Sequence, residues 1–417
     1  YEIPLRLVGS EMCIRDRALP QHLIQHGDHH IALPARPLKI LMSAGEVSGD
    51  MYGGALIRAL RERFPGRALE VRGLGGDAMR AEGARLLHHT DALGAMGIFE
   101  VLRKLRFFRR VLAEMVALAR EWRPDVLITL DYYSFNVALA ERVRPLGVRT
   151  VQYISPKVWV WRRGRVHRMA RAFDLLLCIF PFEPALYKPV GLRALYVGHP
   201  LVGRAAETRA EPAPRFPWYG RDHIALLPGS RAGEIRAILP TFLRAARRIE
   251  DVKGGDCSFV LPAPTPRMRA EVERILAHEP SPRHLTVVEG NARHVLAQAR
   301  AAMIASGTAT LEACLMDCPA VLAYRVSLPT ELIARIVTRG ARLRFAGLVN
   351  IIAGRLVMPE LLQRDFMVHN TAAEVLAYLR DTPARRALLE AYAEVRDRLG
   401  DPDATARAAD AIAALCR

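Results

Sequence analysis

Cysteine, lysine and long apolar runs are what this 417-residue chain has least of. Its six cysteines stand at 13, 178, 257, 314, 318 and 416. None of them forms a paired metal-ligand spacing, which excludes a zinc-ribbon or disulfide-framework protein. Cys314 and Cys318 can share a helix face, but no second pair accompanies them. Reduced thiols point to the cytoplasm. No apolar run approaches the roughly eighteen residues a membrane-spanning helix needs, and no secretory leader is expected. A GxGxxG fingerprint and any solenoid-type repeat are missing as well, so no dinucleotide is implied. Lysine occurs only at 39, 104, 157, 188 and 253 among 60 basic residues, so the formal net charge of +17 is carried almost wholly by arginine. A bias spread over the whole chain is weak evidence for nucleic acid. Its clusters say more: Arg103–Arg110 and Arg162–Arg171 suit phosphorylated substrates or anionic lipid headgroups.

What is present is a regular α/β alternation, 51% hydrophobic and 25% charged, long enough for two domains. Residues 1–37 start at Tyr, hold four closely spaced His (22, 26, 29, 30) and lack periodicity, so they are expected to be a disordered or non-native leader. Strands are predicted at Leu38–Ser43, Ala68–Gly73, Val126–Leu130, Arg149–Ile154, Asp174–Phe180 and Leu195–Val197, then near 223–227, 257–261, 284–288, 301–305 and 320–324. The Pro-rich polar stretch Gly203–Gly220 reads as a linker. The expected domains are therefore 38–205 and 220–390, with a C-terminal helix over 391–417. Met96–Glu121 reads as a helix whose apolar stripe is Ile98, Val101, Leu102, Leu105, Phe108, Leu112, Met115 and Val116. Phe99 and Phe107 lie outside that stripe, among basic residues, which fits either an interfacial face or plain core packing.

Two stretches organise the second half. In AAMIASGTATLEA (301–313) and IALLPGSRAGE (224–234), a short buried strand passes into a small-residue turn and then a helix. Helix starts leave N–H groups unpaired and carry partial positive charge, so Ser306, Gly307 and Thr308, like Gly229 and Ser230, suit a diphosphate. Arg231 adds a planar fork donor for phosphate oxygens. Glu312, one turn beyond Thr308, can accept from ribose hydroxyls. Two ordinary capped turns remain the plainer account of either stretch alone. In the first half, AGEVSGDMYGG (44–54) places Gly45, Gly49, Gly53 and Gly54 where the backbone is expected to turn tightly, with Glu46, Ser48 and Asp50 at a strand's carboxyl end. Asp50 fits a helix cap as well as a ligand. Asp131, at the end of a central strand, fits a general base or a cap. Trp159 and Trp161 can stack on bases, line a lipid groove or pack a corner. Arg325, Asn350, Arg355 and Glu360 are expected near the same cleft.

With GEVSGD, Asp131, ISPKVWVW, LLPGSR and SGTATLEA in this order, the chain over about 38–380 resembles lipid-A-disaccharide synthase, a family of inverting, metal-independent glycosyltransferases of the GT-B fold. The resemblance implies two Rossmann-like parallel-sheet domains facing a cleft. It implies transfer from UDP-2,3-diacylglucosamine to 2,3-diacylglucosamine 1-phosphate (lipid X), with Asp131 as base, Arg231 and Ser306–Thr308 on the diphosphate and Glu312 on the UDP side. No cofactor and no metal are implied. The protein is expected at the cytoplasmic face of the inner membrane, held peripherally, without nucleic acid and with oligomerisation left open. Two departures stand out: Ser134 replaces the family's usual second Asp, and Lys157 replaces a small or amide residue. A UDP-sugar epimerase on the same fold and a basic RNA-binding protein are the alternatives. An epimer formed without acceptor marks the first, and salt-sensitive RNA binding the second.

Overall fold

The computed structural model describes residues 36–90, 98–159, 164–325 and 344–416, without the side chains of Val47 and residues 98–105. The first lobe is a seven-stranded parallel sheet of order β3-β2-β1-β4-β5-β6-β7. Its strands are β1 (Leu38–Ala44), β2 (Leu69–Gly75), β3 (Arg85–His89), β4 (Val126–Leu130), β5 (Arg149–Tyr153), β6 (Leu175–Cys178) and β7 (Ala194–Tyr196). The second lobe is a six-stranded parallel sheet of order β10-β9-β8-β11-β12-β13. It comprises β8 (Asp222–Leu227), β9 (Cys257–Ala263), β10 (Leu285–Glu289), β11 (Ala301–Ala305), β12 (Ala320–Tyr324) and β13 (Glu360–Leu362).

Strands β4, β9 and β11 are buried at every residue, as parallel strands covered by helices on both faces must be. That is why they read in sequence as unbroken apolar runs. The edge strands β3 and β13 lack such runs and are not marked by the pattern.

Strand order reverses once in each sheet. β1 lies between β2 and β4, with Ala44 beside Leu130 at the carboxyl ends. β11 lies between β8 and β12, with Ile304 beside Leu227. At such a switch point the following helices leave on opposite sides and open a crevice above the strand ends. The turns after β1, β4, β8 and β11 are the four stretches singled out in the sequence.

Several expectations need correcting. The helix after β1 starts at Val47 and runs to Arg63, so Gly49, Gly53 and Gly54 lie inside it rather than in a turn. A Cβ on Gly53 would lie 2.8 Å from the Met79 sulfur, and one on Gly54 2.8 Å from the Ala78 carbonyl oxygen. Their smallness serves close helix packing. The expected linker begins with a helix, Pro200–Ala210, whose first turn is capped by His199 Nδ1 accepting from the Leu201 N–H. The expected boundary at 391 falls within the helix Pro383–Leu399. That helix packs on Thr308–Leu315 and Leu348–Ala353, whereas the last helix, Ala404–Cys416, packs on Val47–Arg63 of the first lobe. The Tyr196 hydroxyl donates to the Leu399 carbonyl at 2.7 Å as the chain returns.

Asp50 is a further correction. It is 5% exposed, and its carboxylate accepts from the N–H groups of Gly76, Ala78 and Met79 at 2.6, 2.9 and 3.0 Å. It caps the helix Asp77–Ala81, and both of its oxygens are taken up by these donors. Asp50→Ala is expected to cost roughly 2–3 kcal/mol of stability by stranding these donors, with UDP affinity nearly unchanged. Chemical denaturation and calorimetry check this. An unaltered unfolding midpoint with lost UDP binding would return Asp50 to the ligand site.

Candidate active site

At the end of β4 the chain makes a turn that two side-chain amides hold in place. Asp131 and Tyr132 both have left-handed backbones, with φ of 49° and 38°. Such conformations cost a non-glycine residue about 1–3 kcal/mol each and persist only where neighbours enforce them. Here the Asp131 carbonyl accepts from Asn136 Nδ2 at 2.9 Å and from Gln152 Nε2 at 3.2 Å. Asn136 also donates to the Leu130 carbonyl, while its Oδ1 accepts from Ser43 Oγ at 2.7 Å. Gln152 Oε1 accepts from Thr129 Oγ1 at 2.7 Å. Ser43, Thr129, Asn136 and Gln152 are all buried, so this network ties β1, β4 and β5 together under the turn. Gly45 matters for the same reason: a Cβ there would lie 2.5 Å from the Tyr132 ring.

The clamp fixes the start of the Asp131 side chain in a partly buried position. Burial raises its carboxyl above the usual aspartate range, opposed by the Lys157 ammonium. Glu46, in the turn after β1, is also raised, first by burial and then by the Asp131 charge, although part of its surface stays open to solvent. Arg231 and Lys157 pull Glu46 in the other direction. Arg231 belongs to the second lobe, so its charge reaches Glu46 of the first. Ser134 is exposed beside this group, and Ser48 is exposed on the first turn of the β1 helix.

On the second lobe, Gly229 has φ of 123° and a Cβ on it would lie 2.7 Å from the Glu234 side chain. Arg231 precedes the helix Ala232–Val252 in an extended conformation. Glu234 Oε2 accepts the Ser230 N–H at 3.1 Å, and Oε1 pairs with Arg231 at 3.3 Å. One carboxylate of the helix's own first turn thus sits on two of the donors expected for a diphosphate, Ser230 N–H and the Arg231 guanidinium. In the neighbouring turn, Gly307 has φ of 146°, Thr308 is exposed, and Ser306 Oγ donates to the Ala346 carbonyl. Glu312 lies one turn on, paired with Arg293 at 3.4 Å.

The Asn350 assignment is corrected. Asn350 is fully buried; its Nδ2 donates to the Met358 carbonyl and Glu360, and its Oδ1 accepts from the Val357 and Met358 N–H groups. With both side-chain polar atoms engaged, it shapes the loop. Glu360 in turn accepts from the Ala346 and Gly347 N–H groups, which places the carbonyl that Ser306 uses. Arg325 donates one terminal N–H to the Phe366 carbonyl, and its guanidinium lies 4.9 Å above the Phe366 ring, while the residue stays exposed to solvent.

Trp159 packs a corner, with Nε1 donating to buried Glu183, whose carboxyl is pushed up to about 7 chiefly by burial. Trp161 and the side chains of Phe99 and Leu102 lie outside the described residues. Phe107 is half-buried and opens a run of ring contacts, Phe107 to Phe108 to Tyr132 to Phe135, at centroid distances of 5.8, 6.2 and 6.0 Å. An apolar path therefore leads from the basic helix Ile98–Trp122 to the residue beside Asp131.

The model of the lipid-A-disaccharide synthetase family matches residues 40–412. The lipid-A-disaccharide synthase of Myxococcus xanthus (strain DK1622) is 39% identical over 388 residues, spanning 91% of this chain and 98% of that protein. That of Pseudomonas paraeruginosa (strain DSM 24068 / PA7) is 38% identical over 383 residues, with 91% and 98% covered. Among solved structures, a putative UDP-N-acetylglucosamine 2-epimerase from Listeria monocytogenes is similar with a TM-score of 0.62 at 14% identity, covering 90% of this chain and 96% of that one. The glycotransferase of kitacinnamycin gives 0.60 at 18%, covering 91% and 99%. These structural likenesses establish the GT-B fold.

The raised Asp131 carboxyl has a consequence for stability. A group protonated more readily in the folded state adds stability that is complete below the ordinary aspartate pKa of about 4 and fades as pH rises through the folded value. Asp131→Asn cannot ionise, so it is expected to melt higher than the parent at neutral pH, the gap closing toward pH 4. Thermal melts across that range check it. A variant less stable at pH 7 would contradict the burial argument.

Proposed function

The chain belongs to the lipid-A-disaccharide synthase family, and on that premise we propose how its own residues carry the glycosyl transfer. It is a glycosyltransferase of lipid A biosynthesis. The donor is UDP-2,3-diacylglucosamine and the acceptor is 2,3-diacylglucosamine 1-phosphate. The acceptor's primary hydroxyl oxygen attacks the anomeric carbon from the face opposite UDP. Its proton passes to the Asp131 carboxylate as the new C–O bond forms. The bond from the anomeric carbon to the β-phosphate oxygen breaks, and the electron pair leaves on UDP. The product is a β(1→6)-linked disaccharide 1-phosphate.

Each step has a physical counterpart. A carboxylate whose proton affinity is raised by burial is a better base than one in water. Negative charge grows on the β-phosphate where Arg231 and the small-residue helix start at Ser306–Thr308 supply positive potential, and preorganised donors of this kind are worth about 3–4 kcal/mol each. Glu234 gives up Ser230 and Arg231 to the diphosphate when the nucleotide enters. Glu46 lies in the field of Asp131 and supplies the second carboxylate that Ser134 does not. The observation that supports the reading is topological: the turns carrying Glu46 and Asp131 follow paired strand ends at the order reversal of one parallel sheet, and the turns carrying Arg231 and Ser306 follow those at the order reversal of the other.

Both substrates carry acyl chains, and the aromatic path from Phe107 to Tyr132 is suited to guide them. Among the described residues no helix is long and apolar enough to cross a membrane. The basic helix that carries Phe107 is our choice for a peripheral contact with the cytoplasmic face of the inner membrane.

Asp131→Ala is expected to abolish disaccharide formation while leaving UDP binding nearly intact, read by product mass and calorimetry. Equal loss of both would make Asp131 structural. Arg231→Ala is expected to lower turnover by about 10²–10³ with little change in acceptor KM. Unchanged turnover would remove Arg231 from the diphosphate site.

A further inference from the structure

Arg293 lies in the first turn of the helix Ala292–Gln298, outside every motif discussed above. Its Nε donates to Thr208 Oγ1 at 2.9 Å, and a terminal nitrogen donates to Glu312 Oε1 at 3.4 Å. Both members of the ion pair are shielded, with side chains 22% and 17% exposed. The Thr208 hydroxyl donates to the Arg204 carbonyl at 2.9 Å, so its lone pair is what faces Arg293. Thr208 is itself buried and sits on Pro200–Ala210, the helix that joins the two lobes.

That joining helix holds the glutamate's helix at a second point. Arg209 donates to the Leu315 carbonyl at 2.7 Å, at the end of Thr308–Leu315, and pairs with Asp317 at 2.6 Å. In the other direction Arg204 approaches the Met51 sulfur of the first lobe at 3.7 Å. Arg293 is thus the one side chain among the described residues that hydrogen-bonds both Glu312 and the joining helix. Its fork reaches two acceptors in different directions, which a lysine ammonium on a flexible stem does less well. Only Oε1 of Glu312 is engaged, so Oε2 is left to meet a ligand.

We propose that Arg293 is a positioning residue: anchored on Thr208, it orients Glu312 so that the carboxylate accepts from the ribose hydroxyls of the bound nucleotide. The proposal rests on the reading of Glu312 as the ribose-facing group. A carboxylate pinned on one oxygen by a half-buried guanidinium loses rotamer freedom before the nucleotide arrives, so less ordering is required on binding. The anchor on the joining helix ties the ribose contact to the segment through which the lobes are connected.

The test compares affinities for UDP and 2′,3′-dideoxy-UDP by calorimetry on the full chain. The parent is expected to prefer UDP by about tenfold or more, as charge-assisted hydrogen bonds imply. Glu312→Ala should bring that ratio close to one. Arg293→Gln should bring it most of the way down, and Thr208→Val, which removes only the anchor, should narrow it several-fold. A general loss of folding lowers both affinities together and leaves the ratio alone. A parent that does not discriminate, or a Glu312→Ala variant that still does, overturns the ribose reading itself. A ratio that collapses in Glu312→Ala but stays at the parent value in Arg293→Gln and Thr208→Val overturns the role of Arg293 alone.

Discussion

Two buried amides, Asn136 and Gln152, converge on the carbonyl of Asp131, and the rest of the site depends on that grip. A five-residue strand ending in two left-handed residues would otherwise relax into an ordinary turn, and the carboxylate would swing with it. Ser43 and Thr129 complete the network by orienting the two amides. Each polar atom in it has a partner, which is what makes a buried polar cluster rigid rather than costly. Strain of a few kcal/mol is offset by these bonds, and the outcome is an Asp131 backbone held at a fixed place at the end of β4.

The second constraint is topological. Both sheets are wholly parallel and both reverse strand order once, so each lobe has one crevice above its strand ends. One crevice presents carboxylates at Asp131 and Glu46. The other presents Arg231 and two helix starts. Charge complementarity between the two crevices suits a reaction in which a proton is taken on one side while negative charge grows on the other. The joining helix Pro200–Ala210 and the returning helix Ala404–Cys416 connect the lobes twice.

Much of this was legible in the sequence, because buried parallel strands leave apolar runs and the turns after them collect small residues. The strands carrying Asp131, Arg231 and Ser306 all announce themselves that way. Asn136 and Gln152 did not, since a polar residue in a helix or strand gives no sign of which carbonyl it will meet. The signal was faint but present: Ser43, Thr129 and Gln152 are polar interruptions near the ends of otherwise apolar strands. Asp50 and Asn350 misled for the opposite reason. Each sits where a ligand group belongs by position, yet has its polar atoms occupied by neighbours that only the folded chain brings near. Gly53 and Gly54 misled because a glycine needed for helix packing looks the same as one needed for a turn.

The central claim is that Asp131 and Arg231 face one another across a single nucleotide-sugar site. A crystal structure of the protein with UDP tests it most directly. The account predicts the β-phosphate between the Arg231 guanidinium and the Gly307–Thr308 helix start, with Glu234 displaced from Ser230 and the Asp131 carboxylate directed at the open side of the phosphate. UDP bound elsewhere, or an Asp131 side chain turned back into its own lobe, would contradict it.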